Sequence, residues 1–271
     1  MHQRAIAVVA LAIPVVAGIG YLFAFDAPPS YPAVNAGALV LATLWILFAP
    51  RSLPPVARRI LLVVALAALF LPILTGPSIS GVARWLPLGP VSLHAGMLCV
   101  PALAVMAADD PDHAPAILSI ALFAAVLQPD MATGAAIMLA TAGLYDATRD
   151  WKLGIVAIVA FFASLVAAVN GELAAQPFVE HVIFRLALTD PLAALGLLGA
   201  LVASLLLILH GFPGREGARK ALAGSLFGFS FAGLVSNYPS ALVGYGAAPI
   251  LGFGIGLGLM LGLRSHPAVT D

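Results

Sequence analysis

The sequence predicts an all-α fold, a polytopic transmembrane bundle of about ten helices, and three observations predict it. The 271 residues are 62% hydrophobic and only 9% charged, with a mean hydropathy of +1.08. A soluble domain carries about 25% charged residues, so this chain has too few to clothe a water-facing surface. The apolar residues fall into ten runs of roughly membrane-spanning length. Lys and Arg cluster in alternate connections between those runs. One integral membrane domain over residues 1–271 accounts for all three.

The ten expected spans are 5–24, 36–49, 60–75, 90–107, 114–127, 131–145, 153–169, 191–210, 220–236 and 241–263. The first opens with Met1-His2-Gln3-Arg4 and then turns apolar, like a signal peptide. Nine further spans favour an uncleaved first helix. The spans 114–127 and 131–145 are short and parted only by Gln128-Pro129-Asp130, so they read either as two helices or as one re-entrant hairpin.

With the N-terminus in the cytoplasm, Arg4, Arg51, Arg58, Arg59, Arg149, Lys152, Arg215, Arg219, Lys220 and Arg264 fall inside, and only Arg84 and Arg185 fall outside. This matches the positive-inside rule and places both termini in the cytoplasm. Asp109 to His113 is an acidic cytoplasmic connection, and acidic residues weigh little in that rule. Outside lie a Pro-rich and extended Asp26–Asn35, the Thr75–Gly89 loop, a long Asn170–Asp190 loop and a tight turn at Asn237-Tyr238-Pro239-Ser240. The 170–190 loop is the candidate functional loop, because polar chemistry gathers on this face.

Polar groups near hydrocarbon are costly unless paired or interfacial, so the motifs in these loops need an explanation. Arg84-Trp85 reads as an interfacial anchor, or as a phosphate site in which Arg makes bidentate bonds to phosphate oxygens. Asp130 reads as a helix N-terminal carboxylate, or as a polar hinge beside a cavity. Glu180-His181 reads as a pair of solvated loop residues, or as a carboxylate and imidazole able to act as a general base. The glycines at 252, 254, 256 and 258 lie inside an apolar run with no Lys after them and read as close helix packing. Cys99 reads as a small buried hydrophobe. There is no metal-ligand spacing, Walker A motif or Gly-x-Ser-x-Gly, and zero formal net charge gives no pointer to nucleic acid.

At these residues the chain resembles the SEDS family, the FtsW/RodA/SpoVE group of cell-division and cell-shape membrane proteins, as a short and divergent member. Gly81-Val82-Ala83-Arg84-Trp85-Leu86-Pro87-Leu88-Gly89-Pro90 is similar to the family's Gly-Ala-x-Arg-Trp-Leu-x-Leu-Gly-Pro. Leu127-Gln128-Pro129-Asp130-Met131-Ala132-Thr133 is similar to its Leu-Gln-Pro-Asp-Leu-Gly-Thr. Pro239 to Ala248, with Gly244-Tyr245-Gly246, looks like its late Pro-x-x-x-x-Ser-Tyr-Gly-Gly-Ser segment. There are departures. The family's Gln-Pro-Ser-Glu is here His94-Ala95-Gly96-Met97, and the late segment lacks both serines. The stretch that carries the family's catalytic aspartate is here Val179-Glu180-His181-Val182-Ile183-Phe184, which puts His181 at the aspartate's place with Glu180 beside it.

The resemblance implies a peptidoglycan glycosyltransferase in the bacterial cytoplasmic membrane. It would polymerise lipid II, or a related undecaprenyl-linked precursor, at the external face, with a transpeptidase partner of the penicillin-binding class. It implies Glu180 and His181 as catalytic residues, Glu180 being the base with Asp190 behind it. It implies Arg84, Trp85, Gln128, Asp130 and Tyr245 as substrate-binding residues. No cofactor is implied, and the transfer would run with or without a divalent cation. Two other functions fit the same residues: a non-catalytic scaffold of the division or elongation machinery, and a transporter of lipid-linked precursors.

Overall fold

The computed structural model describes residues 2–50, 52–89 and 91–262. Among them run α1 (His2–Ala24), α2 (Ser30–Phe48), α3 (Pro55–Thr75), β1 (Trp85–Leu88), β2 (Val91–His94), α4 (Ala95–Asp109), α5 (Ala114–Leu127) and α6 (Met131–Thr148). The order continues with α7 (Trp151–Asn170), α8 (Val182–Thr189), α9 (Pro191–His210), α10 (Glu216–Val235) and α11 (Ala247–Gly262). Each of the ten expected spans overlaps one of these helices. Arg51, Pro90, Arg264 and the C-terminal Asp271 lie outside the described residues.

The connections gather at two ends. The loop end carries 25–29, 76–94, 128–130, 171–190 and 236–246. The turn end carries 49–54, 110–113, 149–150 and 211–215. Ionic and polar contacts close the turn end. Arg4 donates to the Ala49 carbonyl over 2.7 Å, Arg58 pairs with Asp109, Lys220 reaches Asp146 over 2.6 Å, and Arg215 donates to Gln3 over 3.0 Å. α5 leaves the turn end beside the Arg58–Asp110 contact of 3.8 Å and reaches the loop end, where Gln128 donates to the Leu69 carbonyl. α6 returns to Asp146 at the turn end. The two are therefore separate crossing helices and not a re-entrant hairpin.

The helices differ in how much of them is buried. α1, α2, α3, α7 and α9 are each long and apolar enough to cross a membrane by length and composition. They are poorly buried within the protein: α3 buries only Ala65, Leu69 and Pro72 of its 21 residues. Their exposed Val, Leu and Phe side chains, such as Val64, Phe162, Val166 and Leu195, need an apolar surround. α4 and α11 have 15 and 16 residues, about 23 Å each, short of the ~30 Å hydrocarbon thickness. Both are largely buried, so other helices rather than lipid surround them. At the loop end the missing depth is taken by β2 and by 236–246, whose His94, Tyr238, Leu242 and Val243 are buried. The short inner helices thus leave room for polar groups inside the bundle.

Several expected boundaries are corrected. α2 begins at Ser30, not after an extended Asp26–Asn35. Pro29 and Pro32 do not prevent this, because the N–H groups of a first helical turn have no intrahelical partner. The span expected from residue 90 is β-hairpin up to His94 and helix only from Ala95. Trp85 pairs with His94 and Leu88 with Val91, and Gly89 takes a φ of 62° at the turn. The span expected from 241 starts at Ala247. Asn237–Ser240 is not an isolated tight turn but part of a buried segment running to Gly246. The 170–190 loop holds an extra helix, α8, which buries Val182 and Leu186 one turn apart. Cys99 is buried, and the glycines of α11 sit where a Cβ would meet Met97, Ala42, Pro101 or Trp45.

Candidate functional site at the loop end

A polar cluster lies inside the loop end. Asp130 caps α6: one carboxylate oxygen accepts from the Thr133 N–H at 3.1 Å and the other from the Thr133 hydroxyl at 2.5 Å. The second oxygen also lies 3.4 Å from His94 Nε2. That distance suits an ion pair, but the geometry is not that of a hydrogen bond, and Nε2 has no hydrogen-bond partner among the described residues. His94 caps α4, its Nδ1 accepting from the Met97 N–H at 3.3 Å. A neutral His94 therefore carries its proton on Nε2, toward Asp130. The Tyr238 hydroxyl accepts from the Met131 N–H at 2.9 Å. Burial, with the Asp130 charge behind it, pushes the Tyr238 phenol up to about 12, so it stays protonated.

Arg84 sits on this cluster. It is only 2% exposed, its guanidinium lying 4.4 Å from the Tyr238 ring centre and 4.9 Å from that of Trp85. Its Nε and Nη1 have no hydrogen-bond partner among the described residues. A buried guanidinium with free N–H groups is costly unless an acceptor arrives. Arg84 is thus buried within the protein and does not reach outward from its surface as an interfacial anchor would.

Two segments cover the cluster, 171–181 and 236–246, and they are joined edge to edge. The Ser240 N–H donates to the Val179 carbonyl and the Tyr245 N–H to the Phe178 carbonyl, both at 2.8 Å, and Glu180 bridges to Pro239 in antiparallel fashion. The Val182 N–H donates to the Ser240 hydroxyl at 3.2 Å. Glu180 is half-buried and accepts from the Gln176 N–H at 2.5 Å. Burial pushes its carboxyl above the ordinary value, opposed by that hydrogen bond and by the Arg84 charge. His181 takes a left-handed φ of 55° before α8, so its ring turns away from Glu180 toward Asn237.

The expected site residues separate into groups. Arg84, Trp85 and Asp130 share the inner cluster, linked through His94 and Tyr238. Glu180 and His181 lie in the covering segment and point different ways. Gln128 is buried with its amide spent on the Leu69 carbonyl, which ties the end of α5 to α3. Tyr245 stacks on Tyr31 at 3.8 Å, beside Phe178 and Tyr21, in a cluster of aromatic rings. His94, Tyr238, Asn237 and Glu172 were not expected. In the sequence His94 is marked by its departure from the family pattern, Asn237 and Tyr238 only as an external turn, and Glu172 only as one acid of the long external loop. A cavity of about 550 Å³ lies at the turn end between Trp45, Pro50, Arg58, Asp109 and Gly258, and none of the candidate residues lines it.

No protein-family model and no curated protein matches the chain. Solved structures do. Thermus thermophilus rod shape determining protein RodA, in an aspartate-to-alanine mutant, is 20% identical with a TM-score of 0.65, over 94% of this chain and 95% of that one. RodA of the same organism without that change gives 19% identity and 0.63, over 94% of each chain. A third structure, described as "structural coordination of polymerization and crosslinking by a peptidoglycan synthase complex", gives 19% identity and 0.60, over 95% of this chain and 96% of that one. The chain therefore has the RodA-like helical membrane fold over about nine-tenths of its length, so the likeness first carried by three short motifs extends to the helical architecture.

Proposed function

We propose that this protein is a divergent SEDS-type peptidoglycan glycosyltransferase acting on a lipid-linked precursor such as lipid II. The observation that carries the reading is Arg84, a buried cation with two unsatisfied N–H groups directed by the hairpin into the loop end. A pyrophosphate offers the acceptors that such a guanidinium lacks. In the proposal the loop end faces outside, Arg84 holds the donor's pyrophosphate, Trp85 and Tyr238 fix the guanidinium between their rings, and the Asp130–His94 pair braces the helix starts below. The Glu180–His181 corner supplies the base for the acceptor hydroxyl. The two covering segments are joined by backbone bonds and by the contacts of Asn237 with His181, Glu172 and Leu173. A transpeptidase partner for crosslinking fits the complex described for the third solved structure.

The test is polymerisation of purified lipid II by the protein in detergent or nanodiscs, followed by gel separation of the glycan chains. The wild type is expected to give polymer, and a Glu180→Gln, His181→Gln double variant to give none. Absence of polymer from the wild type, alone and with a transpeptidase partner, would leave the scaffold reading in its place.

A further inference from the structure

Which atom of the Glu180–His181 corner takes the proton follows from a hydrogen-bonded chain on the covering segments. Asn237 spends both amide hydrogens, donating to Glu172 Oε1 at 3.0 Å and to the Leu173 carbonyl at 2.9 Å. Its Oδ1 is therefore the acceptor in the 2.5 Å contact with His181 Nε2, and Nε2 must carry hydrogen. In the neutral ring that leaves the lone pair on Nδ1. Nδ1 is buried and has no hydrogen-bond partner among the described residues. Phe184 packs against the ring, with centroids 6.3 Å apart, and restricts it further. Glu180, by contrast, is turned back onto the Gln176 N–H.

We propose that His181 Nδ1 is the proton acceptor of the transfer, and that Asn237 and Glu172 are positioning residues that hold its tautomer. The inference rests on the glycosyl-transfer reading above. In the step, the acceptor sugar's hydroxyl oxygen forms a bond to the donor's anomeric carbon while its proton passes to Nδ1. The bond from that carbon to the pyrophosphate oxygen breaks, and the leaving diphosphate keeps the electron pair, facing Arg84. The resulting imidazolium keeps its Nε2–H on Asn237, with the Glu172 carboxylate behind it. An imidazole thus does the work of a carboxylate base, and Glu172–Asn237 orients it much as a carboxylate orients a catalytic histidine. Among the described residues Glu180 precedes His181 in the chain and feels the Arg84 charge, and Arg185 follows in the first turn of α8.

The experiment is the lipid II polymerisation rate measured across pH for the wild type and three variants. His181→Gln is expected to lose about a hundredfold or more in kcat. Glu180→Gln is expected to lose far less. Asn237→Asp places a carboxylate against Nε2–H, which favours the protonated ring. The acid limb of its kcat profile should move to higher pH even where the plateau falls. A merely structural role for Asn237 would lower the plateau and leave the limb in place. An active wild type with His181→Gln retaining half its rate overturns the base assignment alone, as does an unmoved limb in a folded Asn237→Asp. An inactive wild type overturns the glycosyl-transfer reading and this assignment with it.

Discussion

Asp130 illustrates how one side chain is used twice. Its carboxylate ends the free N–H groups of α6 through Thr133 and faces His94 on the start of α4. Asp130→Ala leaves the Thr133 donors and His94 without their partner in a buried setting, a loss of about 2–4 kcal/mol. That corresponds to a fall of about 5–10 °C in the apparent melting temperature in detergent. Asp130→Asn keeps an acceptor oxygen for the cap and should fall by less than half as much. Equal losses in the two variants would mean that the charge facing His94, and not the cap, dominates. At this scale the sequence reveals Arg84 and Asp130, because an ionised residue beside an apolar run has to be explained. It does not reveal Tyr238 or Asn237. Each takes its place from contacts with residues about 60 to 150 positions away, with Asn237 meeting Glu172 and His181 and Tyr238 meeting Arg84 and Met131, and no local pattern encodes that.

Among the elements, the helices were legible and the pieces between them were not. Twenty-residue apolar runs leave little choice of structure in a membrane. The eight-residue α8 is apolar at Val182, Ile183, Phe184, Leu186, Ala187 and Leu188, a run too short and too uniform to separate a short helix from a loop. The β-hairpin hid because Pro87, Gly89 and Pro90 break its alternation. The α4–α11 contact depends on glycine. A Cβ on Gly252 would run into the Met97 and Leu98 backbone carbonyls, whereas one on Gly196 in α9 meets nothing within 4 Å. Gly252→Ala should therefore destabilise by about 1–3 kcal/mol through overpacking. Gly196→Ala should stabilise by about 0.5–1 kcal/mol through helix propensity. Thermal unfolding of the two variants side by side checks the pair, and a harmless Gly252→Ala would show that the inner helices are free to shift.

For the whole molecule, the division of labour is between an outer set of long apolar helices and an inner set of more buried ones, of which α4 and α11 are short. The outer set answers to lipid. The inner set stops short at the loop end, and the hairpin, the 236–246 segment and the 171–181 segment fill the gap with Arg84, His94, Asp130, Tyr238, Glu180 and His181. A bundle built only to span a membrane has no use for a buried guanidinium with free donors, so Arg84 is where fold and function meet. Binding of lipid II to the protein in nanodiscs, compared between wild type and Arg84→Ala, tests that directly. Two charge-assisted N–H contacts to a pyrophosphate account for about a hundredfold or more in affinity. Saturable wild-type binding that weakens by that factor in a folded Arg84→Ala is the expected result, and equal affinity for the two proteins would contradict it.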